Sequence, residues 1–323
     1  MTDPAGGSLR RRTVAAACAA AGLTVVLAAF SYTTSNDLPP GPHPVPSTSV
    51  PMMPPMSSMP GGHHHPMPSM SAPVTPPMSS MPGMGTMDGL GAEYNGYGMA
   101  SGTATLPVGK ITDYRFTITG PDGKPVTHFA VEQTQRLHFY AIRSDLTGFQ
   151  HVHPTLGSNG VWTAALAALR PGTWRLYASF VPNTGPAKGQ EFVLSRAVSV
   201  PGRAVASAVP APSRSTTVDG YTVTVKGKLT ANRASPLTVT ITKAGRPVTN
   251  LQPYLDTYAH LTAFHEGDLA FAHLHPETKV DGDHGGPTLP FHAELSRSGN
   301  WRLFLQFQTS GTVHTAALTV QVS

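Results

Sequence analysis

One histidine pattern occurs twice in this chain, and it limits the possible folds more than any other feature. His138 is followed thirteen residues later by His151-Val152-His153-Pro154, and His260 is followed thirteen residues later by His273-Leu274-His275-Pro276. The pattern H-x12-H-x-H-P therefore recurs at an offset of 122 residues. Because a spacing of this length is rarely repeated by chance, it indicates a duplicated unit.

The repeat extends on both sides of the histidines. Residues 123–127 (GKPVT) match 245–249 (GRPVT) at the same offset, and 172–177 (GTWRLY) match 299–304 (GNWRLF) at an offset of 127. The second copy therefore carries five extra residues, which we expect in the Gly/Asp/His-rich stretch 277–290. Each copy has the size of one independently folding domain. The predicted domains are 103–200 and 217–323, joined by an Ala/Pro/Ser-rich linker over 201–216.

Residues 1–32 are predicted to be a signal peptide or a membrane anchor. Three arginines at 10–12 precede an apolar run at 13–30 that contains no charged residue. As a helix this run would span about 27 Å, between the core of a signal peptide and a membrane-spanning helix. The positive flank places the N-terminus in the cytoplasm. We therefore expect an extracytoplasmic protein of the cell envelope, secreted or anchored by a single N-terminal helix.

The composition excludes two classes of function. Three units of the net charge of +5 come from the arginines at 10–12, and the rest of the chain is nearly balanced. This balance argues against a nucleic-acid-binding surface. The one cysteine, Cys18, lies in the apolar run, so the domains cannot form a blue-copper centre of two histidines and a cysteine.

The segment 33–102 is rich in proline, serine and glycine, and we expect it to be disordered. It holds eleven of the twelve methionines, the twelfth being the initiator. Several follow a three-residue spacing that would line one face of a polyproline II helix, and a run of histidines lies between the two series. These residues are Met53, Met56, Met59, His63, His64, His65, Met78, Met81, Met84 and Met87.

Thioether sulfur is a soft ligand that selects Cu(I), and imidazole binds both Cu(I) and Cu(II). The methionine-rich segment is therefore a candidate for copper capture, with an inert spacer as the alternative.

The pattern after residue 102 predicts an all-β protein. Short stretches rich in Val, Thr, Phe, Tyr and Leu are bounded by Gly, Pro, Asp and Asn, and helical periodicity is weak and confined to 164–169. We expect two tandem immunoglobulin-like (cupredoxin-like) β-sandwich domains after the signal or anchor helix and the Met/Pro-rich segment. Predicted strands cover 113–119, 136–143, 149–153, 173–180, 191–200, 221–228, 237–242, 258–265, 269–275, 300–307 and 313–322.

A hairpin in each copy would bring its histidines together. A turn at Gly267-Asp268 places His260 opposite His275, and His273 shares that face because alternate residues of a strand point the same way.

In the first copy, a turn at Asp145-Leu146 places His138 opposite His153, with His151 on the same face. Three converging imidazoles make a metal site, so we predict one site in each copy. His284 and His292 lie near the extra residues and are candidates for an additional ligand in the second.

These motifs resemble a known group of proteins. An exported Met/His-rich segment followed by small β-sandwich domains with H-x-H strands is similar to bacterial envelope copper-handling proteins with cupredoxin-like or CopC-like folds. The paired HVHP and HLHP motifs also resemble those of exported actinobacterial proteins. The resemblance implies copper binding, storage or delivery outside the cytoplasmic membrane.

Three functions stay open at this point. The leading one is non-enzymatic copper binding, and the others are a three-histidine zinc enzyme and a stalked surface or adhesion module without metal. No P-loop, G-x-S-x-G or C-x-x-C pattern is present, so we do not expect an enzyme. The expected partners are metal ions and, if the N-terminal helix is retained, the cytoplasmic membrane.

Overall fold

The computed structural model describes residues 88–323, which are all-β, as predicted. The predicted signal or anchor segment at 1–32 lies outside the described residues. The predicted copper ligands of the methionine-rich segment also lie outside them: Met53, Met56, Met59, His63, His64, His65, Met78, Met81, Met84 and Met87. Among residues 88–323, no helix has the length and hydrophobicity needed to cross a membrane.

The described part of the chain contains eighteen strands. They are β1 (Glu93–Tyr94), β2 (Tyr97–Ala100), β3 (Thr112–Thr119), β4 (Leu137–Arg143), β5 (Gln150–Val152), β6 (Thr155–Leu156), β7 (Val161–Leu166), β8 (Gly172–Phe180), β9 (Phe192–Val200), β10 (Ser215–Val218), β11 (Tyr221–Lys226), β12 (Ala234–Lys243), β13 (Arg246–Pro247), β14 (Ala259–His265), β15 (Phe271–Pro276), β16 (Thr288–Glu294), β17 (Gly299–Thr309) and β18 (Thr312–Val322).

The first sandwich consists of two antiparallel sheets, with strand orders β1-β2-β3-β7-β6 and β5-β4-β8-β9. Its core lies between them, because alternate residues of each strand point inward. In β3, for example, Tyr114, Phe116 and Ile118 are buried, and they pack with Trp162 of β7 and Trp174 of β8.

The second sandwich repeats this arrangement in a single connected sheet. Its strand order is β10-β11-β12-β16-β15-β14-β17-β18, with β13 paired to β12. The sheet folds over at the short contact between β15 and β16, so Val239 and Phe291 on one layer share a core with Leu261 and Trp301 on the other. Both halves are therefore immunoglobulin-like sandwiches.

The duplication is visible in the positions of matching strands and in one matching hydrogen bond. β4 and β14 occupy 137–143 and 259–265, an offset of 122, whereas β7 and β16 begin at 161 and 288, an offset of 127. The five extra residues therefore lie between β15 and β16, within the predicted stretch. In each copy a tryptophan donates its indole N–H to a backbone carbonyl four residues earlier, from Trp174 to Arg170 and from Trp301 to Arg297, both at 2.9 Å.

The structure corrects three local expectations. The predicted disordered segment includes β1 and β2, and Met99 of β2 is buried in the first core. β7 was not among the predicted strands: Trp162, Ala164 and Leu166 alternate inward along it, so the weak helical periodicity at 164–169 does not form a helix. β16 was not predicted, since Pro290 and the neighbouring glycines resemble a loop.

The two sandwiches share an apolar interface, defined here as the interdomain core. Buried residues of both halves form it: Tyr140, Ile142, Leu146, Tyr177 and Val193 from the first, and Phe264, Leu269, Phe271 and Phe304 from the second. Phe149 stacks on Phe304 with ring centroids 4.3 Å apart. Its repeat equivalent, Phe271, packs on Tyr177 at 5.4 Å, so each copy inserts the same aromatic side chain into the other.

Candidate metal centre

The hairpins that carry the histidines have the predicted register. In the first copy Phe139 pairs with Val152, which aligns His138 with His153. In the second copy Leu261 pairs with Leu274, which aligns His260 with His275.

The turns that close these hairpins are longer than the predicted two residues. They are closed by hydrogen bonds from Arg143 N to Thr147 O and from His265 N to Ala270 O. Leu146 and Leu269 adopt left-handed backbone angles, with φ of 60° and 65°. Both side chains are buried in the interdomain core, and this burial offsets the cost of about 1–2 kcal/mol for a left-handed residue.

His138, His151 and His153 form a triad that can hold a metal ion. One ring nitrogen from each lies within 4.8 Å of the others. His138 Nδ1 faces His151 Nε2 at 3.0 Å, and the His153 ring lies 5.1 Å and 4.8 Å from the other two. His138 is only 4% exposed, and the other two are half-buried.

The outer nitrogens of two triad rings face hydrogen-bond acceptors. His138 Nε2 donates to the backbone carbonyl of Glu132 at 3.0 Å, and His151 Nδ1 donates to Gln306 Oε1 at 2.7 Å. A neutral imidazole has one N–H, so the nitrogens that face each other, His138 Nδ1 and His151 Nε2, both present lone pairs. Outer acceptors of this kind orient histidine ligands in metal sites.

The third ring, that of His153, contributes another nitrogen that could bind a metal ion. His153 Nε2 is buried and makes no hydrogen bond within residues 88–323. A buried polar atom without a partner is unusual in a folded protein and calls for a specific explanation. A cation bound by the facing nitrogens of His138 and His151 would also give His153 Nε2, in the tautomer that leaves this nitrogen unprotonated, a partner.

Burial keeps the triad in the form that binds metal. Desolvation lowers the pKa of His138 to about 4, against the pull of its hydrogen bond to the Glu132 carbonyl. It lowers the pKa of His151 well below the usual value and that of His153 in the same direction. For His138 and His151 the neighbouring imidazoles add to the effect, because a second positive charge would be repelled. All three rings are therefore neutral at pH 7.

The histidines of the second copy lie against this triad. His260 is 1% exposed, and its ring stacks 4.7 Å from that of His151. Its Nε2 contacts the Tyr140 hydroxyl at 3.0 Å, while its Nδ1 is buried and has no hydrogen-bond partner among the described residues. The His273 ring lies 4.6 Å from that of His260 and 6.4 Å from that of His138. His260 and His273 therefore form one histidine cluster with the triad, and this cluster spans both sandwiches.

The described part of the chain resembles known proteins only distantly. A family model for a domain of unknown function (DUF8832) matches residues 216–323, the second sandwich. No curated protein matches the chain.

Several solved structures are similar at low identity. The Escherichia coli adhesin FdeC is 16% identical, with 71% of this chain and 64% of that chain aligned and a TM-score of 0.22. InvD of Yersinia pseudotuberculosis is also 16% identical, with 71% and 57% aligned and a TM-score of 0.22. The D0-D1 domain of intimin is 13% identical, with 69% and 96% aligned and a TM-score of 0.20. The chain spans less than two thirds of FdeC and InvD, and at these scores the likeness carries no functional argument.

Two of the predicted ligands, His284 and His292, are exposed and lie outside the buried cluster. His284 is exposed and contacts Asp283 at 2.7 Å. His292 is also exposed, because Phe291 and Ala293 on either side turn inward from β16. His275 lies on β15, where its backbone pairs with that of His292.

Three residues that contact the cluster were not predicted from the sequence. Gln306 makes a hydrogen bond with His151, and Tyr140 makes one with His260. Glu191 Oε1 lies 3.8 Å from His273 Nδ1. Each of the three contacts crosses between the two sandwiches. They belong to no motif, and their repeat equivalents differ: Ser179 occupies the place of Gln306, and Thr262 that of Tyr140.

Proposed function

We propose that this chain is a non-enzymatic, extracytoplasmic copper-binding protein whose metal centre is the triad of His138, His151 and His153. The facing lone pairs of His138 Nδ1 and His151 Nε2, 3.0 Å apart, carry the proposal. Two lone pairs at this distance repel each other, and a metal ion bound to both converts the repulsion into coordination. The third ligand, His153 Nε2, is already buried and in want of a partner.

Copper is favoured over other metals by the composition of the chain. Three neutral imidazoles suit copper, zinc, iron or nickel, so the triad alone does not select among them. Besides the initiator, the chain has eleven methionines, all of which precede Ser101, and ten of these precede residue 88. Zinc has little use for thioether ligands, whereas Cu(I) prefers them. The methionine-rich segment would collect copper, and the triad would hold it for sequestration or delivery.

The cellular location follows from the N-terminal sequence. The arginines at 10–12 and the apolar run at 13–30 favour export, which would leave the methionine-rich segment and both sandwiches outside the cytoplasm. Sequestration there would limit copper reaching the cytoplasmic membrane.

A three-histidine zinc enzyme is the second candidate. One observation favours it: His138 borders a cavity, so a fourth coordination position could be open to solvent. The two candidates differ in which metal the chain retains and in whether that metal needs the methionine-rich segment.

Metal analysis of the full chain tests the proposal. The protein is loaded separately with Cu(I), Cu(II) and Zn(II), washed with a weak chelator and analysed for retained metal. We expect copper to be retained, and the variant H138A/H151A/H153A to lose the tightly held fraction. The matched control is H128A/H284A/H292A, which removes three exposed histidines and should retain as much copper as the native chain. Equal retention by the two triple variants would contradict the proposal, and retention of zinc alone would favour the enzyme.

A further inference from the structure

A cavity of about 230 Å³ opens beside the triad. His138 of the first sandwich and His273 of the second both line it. The volume is enough for several water molecules, each of which takes about 30 Å³ in the liquid. The cavity therefore connects solvent with one ligand of the triad, across the boundary between the sandwiches.

Glu191 also lines this cavity. Its side chain is 37% exposed, whereas that of His273 is 9% exposed. Glu191 Oε1 accepts a hydrogen bond from the Ser179 hydroxyl at 3.1 Å and lies 3.8 Å from His273 Nδ1. A carboxylate and an imidazole thus lie side by side in the wall of the cavity that His138 also lines, and together they offer one oxygen and one nitrogen ligand.

The charges around the cavity favour a cation. Its lining includes the carboxylates of Glu132 and Glu191 and one guanidinium, that of Arg136. The triad itself is neutral, so it cannot attract a metal ion over a distance. A carboxylate at the opening of a low-dielectric cavity raises the local cation concentration and the rate of association.

We propose that this cavity is the route by which copper reaches the triad, and that Glu191 and His273 form a transient receiving site for the incoming ion. The inference rests on the proposed function of the triad. A hydrated ion exchanges two waters for Glu191 Oε1 and a ring nitrogen of His273, and then exchanges these for the triad nitrogens. Each step replaces one ligand by another without oxidation or reduction. The His273 and His138 rings are 6.4 Å apart, so the transfer is short.

The test measures loading rate and final occupancy separately. Cu(II) is mixed rapidly with the full chain, and the absorbance of imidazole-bound Cu(II) is followed in time. Signal from copper bound elsewhere, including the methionine-rich segment, is removed by subtracting the trace of H138A/H151A/H153A. E191Q should load about tenfold more slowly, and R136Q faster, with the final occupancy unchanged. H273Q should also load more slowly, because it removes the imidazole that receives the ion. If Glu191 only attracted the ion by its charge, H273Q would load at the native rate.

The control is E294Q, which removes an exposed carboxylate on β16 that does not line the cavity and should load at the native rate. Native rates in E191Q and H273Q would overturn the inference and leave the triad proposal standing. If E191Q bound less copper at the end point but loaded at the native rate, Glu191 would be a permanent ligand, and the inference of a transient receiving site would also be overturned. If the native chain loads no more copper than the triad variant, the proposed function itself fails.

Discussion

Gln306 Oε1 lies 2.7 Å from His151 Nδ1, so a side chain of the second sandwich orients a ligand of the first. Gln306 is on β17, and its backbone pairs with that of His260 on β14. The same strand pair therefore carries the histidine that stacks on His151 and the amide that fixes its N–H. We therefore expect the metal affinity of the proposed triad to depend, through these contacts, on correct docking of the second sandwich.

Replacing Gln306 by leucine should weaken metal binding at the triad. The variant keeps the volume of the side chain but removes the acceptor for His151 Nδ1, so the ring is free to bind through the other tautomer. Loss of such an orienting partner typically lowers affinity about 10–100-fold. Competition with a chromophoric chelator measures the change. The control is Q321L on the exposed face of β18, and equal affinities in the two variants would argue against an orienting role.

Replacing Tyr140 by phenylalanine should destabilise the folded protein by about 1–3 kcal/mol, because His260 Nε2 would be buried without a partner. Urea unfolding of the metal-free protein measures the free energy. In the double variant Y140F/H260L both polar groups are absent, so part of the loss should be recovered. A double variant as unstable as the sum of the two single variants would show that the contact contributes nothing.

The metal-free protein should lose stability as the pH falls from about 6.5 towards 4. Burial lowers the pKa of His138 to about 4, so the unfolded chain binds this proton first and unfolding is favoured throughout that window. His138 alone would account for about 3 kcal/mol between pH 7.5 and pH 4, and the unfolding free energy should be highest above pH 6.5. Urea titrations at several pH values, with chelator present, test this. H138Q should show a shallower slope, and a stability that rises on acidification would contradict the assignment.

Replacing Phe264 by alanine should destabilise the protein by about 3–5 kcal/mol, as expected for a fully buried phenylalanine. Its ring packs against those of Tyr177 and Phe149 in the other sandwich, with ring centroids 5.4 Å and 6.0 Å apart. Thermal and urea unfolding measure the loss. The control is I111A, at a side chain that is 80% exposed, where a change within about 0.5 kcal/mol is expected. Equal effects of the two substitutions would mean that the interdomain core contributes little.

Features of the fold that depend on local spacing could be predicted from the sequence. The hairpin register follows from thirteen-residue separations and from the alternation of side chains, and both copies have it. The all-β class follows from short runs of β-branched and aromatic residues bounded by turn residues.

What the sequence did not reveal depends on contacts between distant residues. Tyr140, Phe264 and Phe271 alternate as ordinary core residues do, and nothing in their pattern says that they face a second domain. Gln306 is 155 residues from His151, and Glu191 is 82 residues from His273, so no spacing rule connects them. The composition around Met99 predicts that it belongs to the Met/Pro-rich segment, whereas its side chain is buried in the core of the first sandwich.

The reciprocal insertion of Phe149 and Phe271 has a consequence for the origin of the molecule. A protein with a single copy would expose one such aromatic ring and the pocket that receives it on the same face, which is the requirement for a self-complementary dimer. Joining two copies in one chain removes the need for both faces to stay identical. Tyr140 and Thr262, or Gln306 and Ser179, can then diverge, so that one half carries the histidine triad while the other supplies contacts that support it.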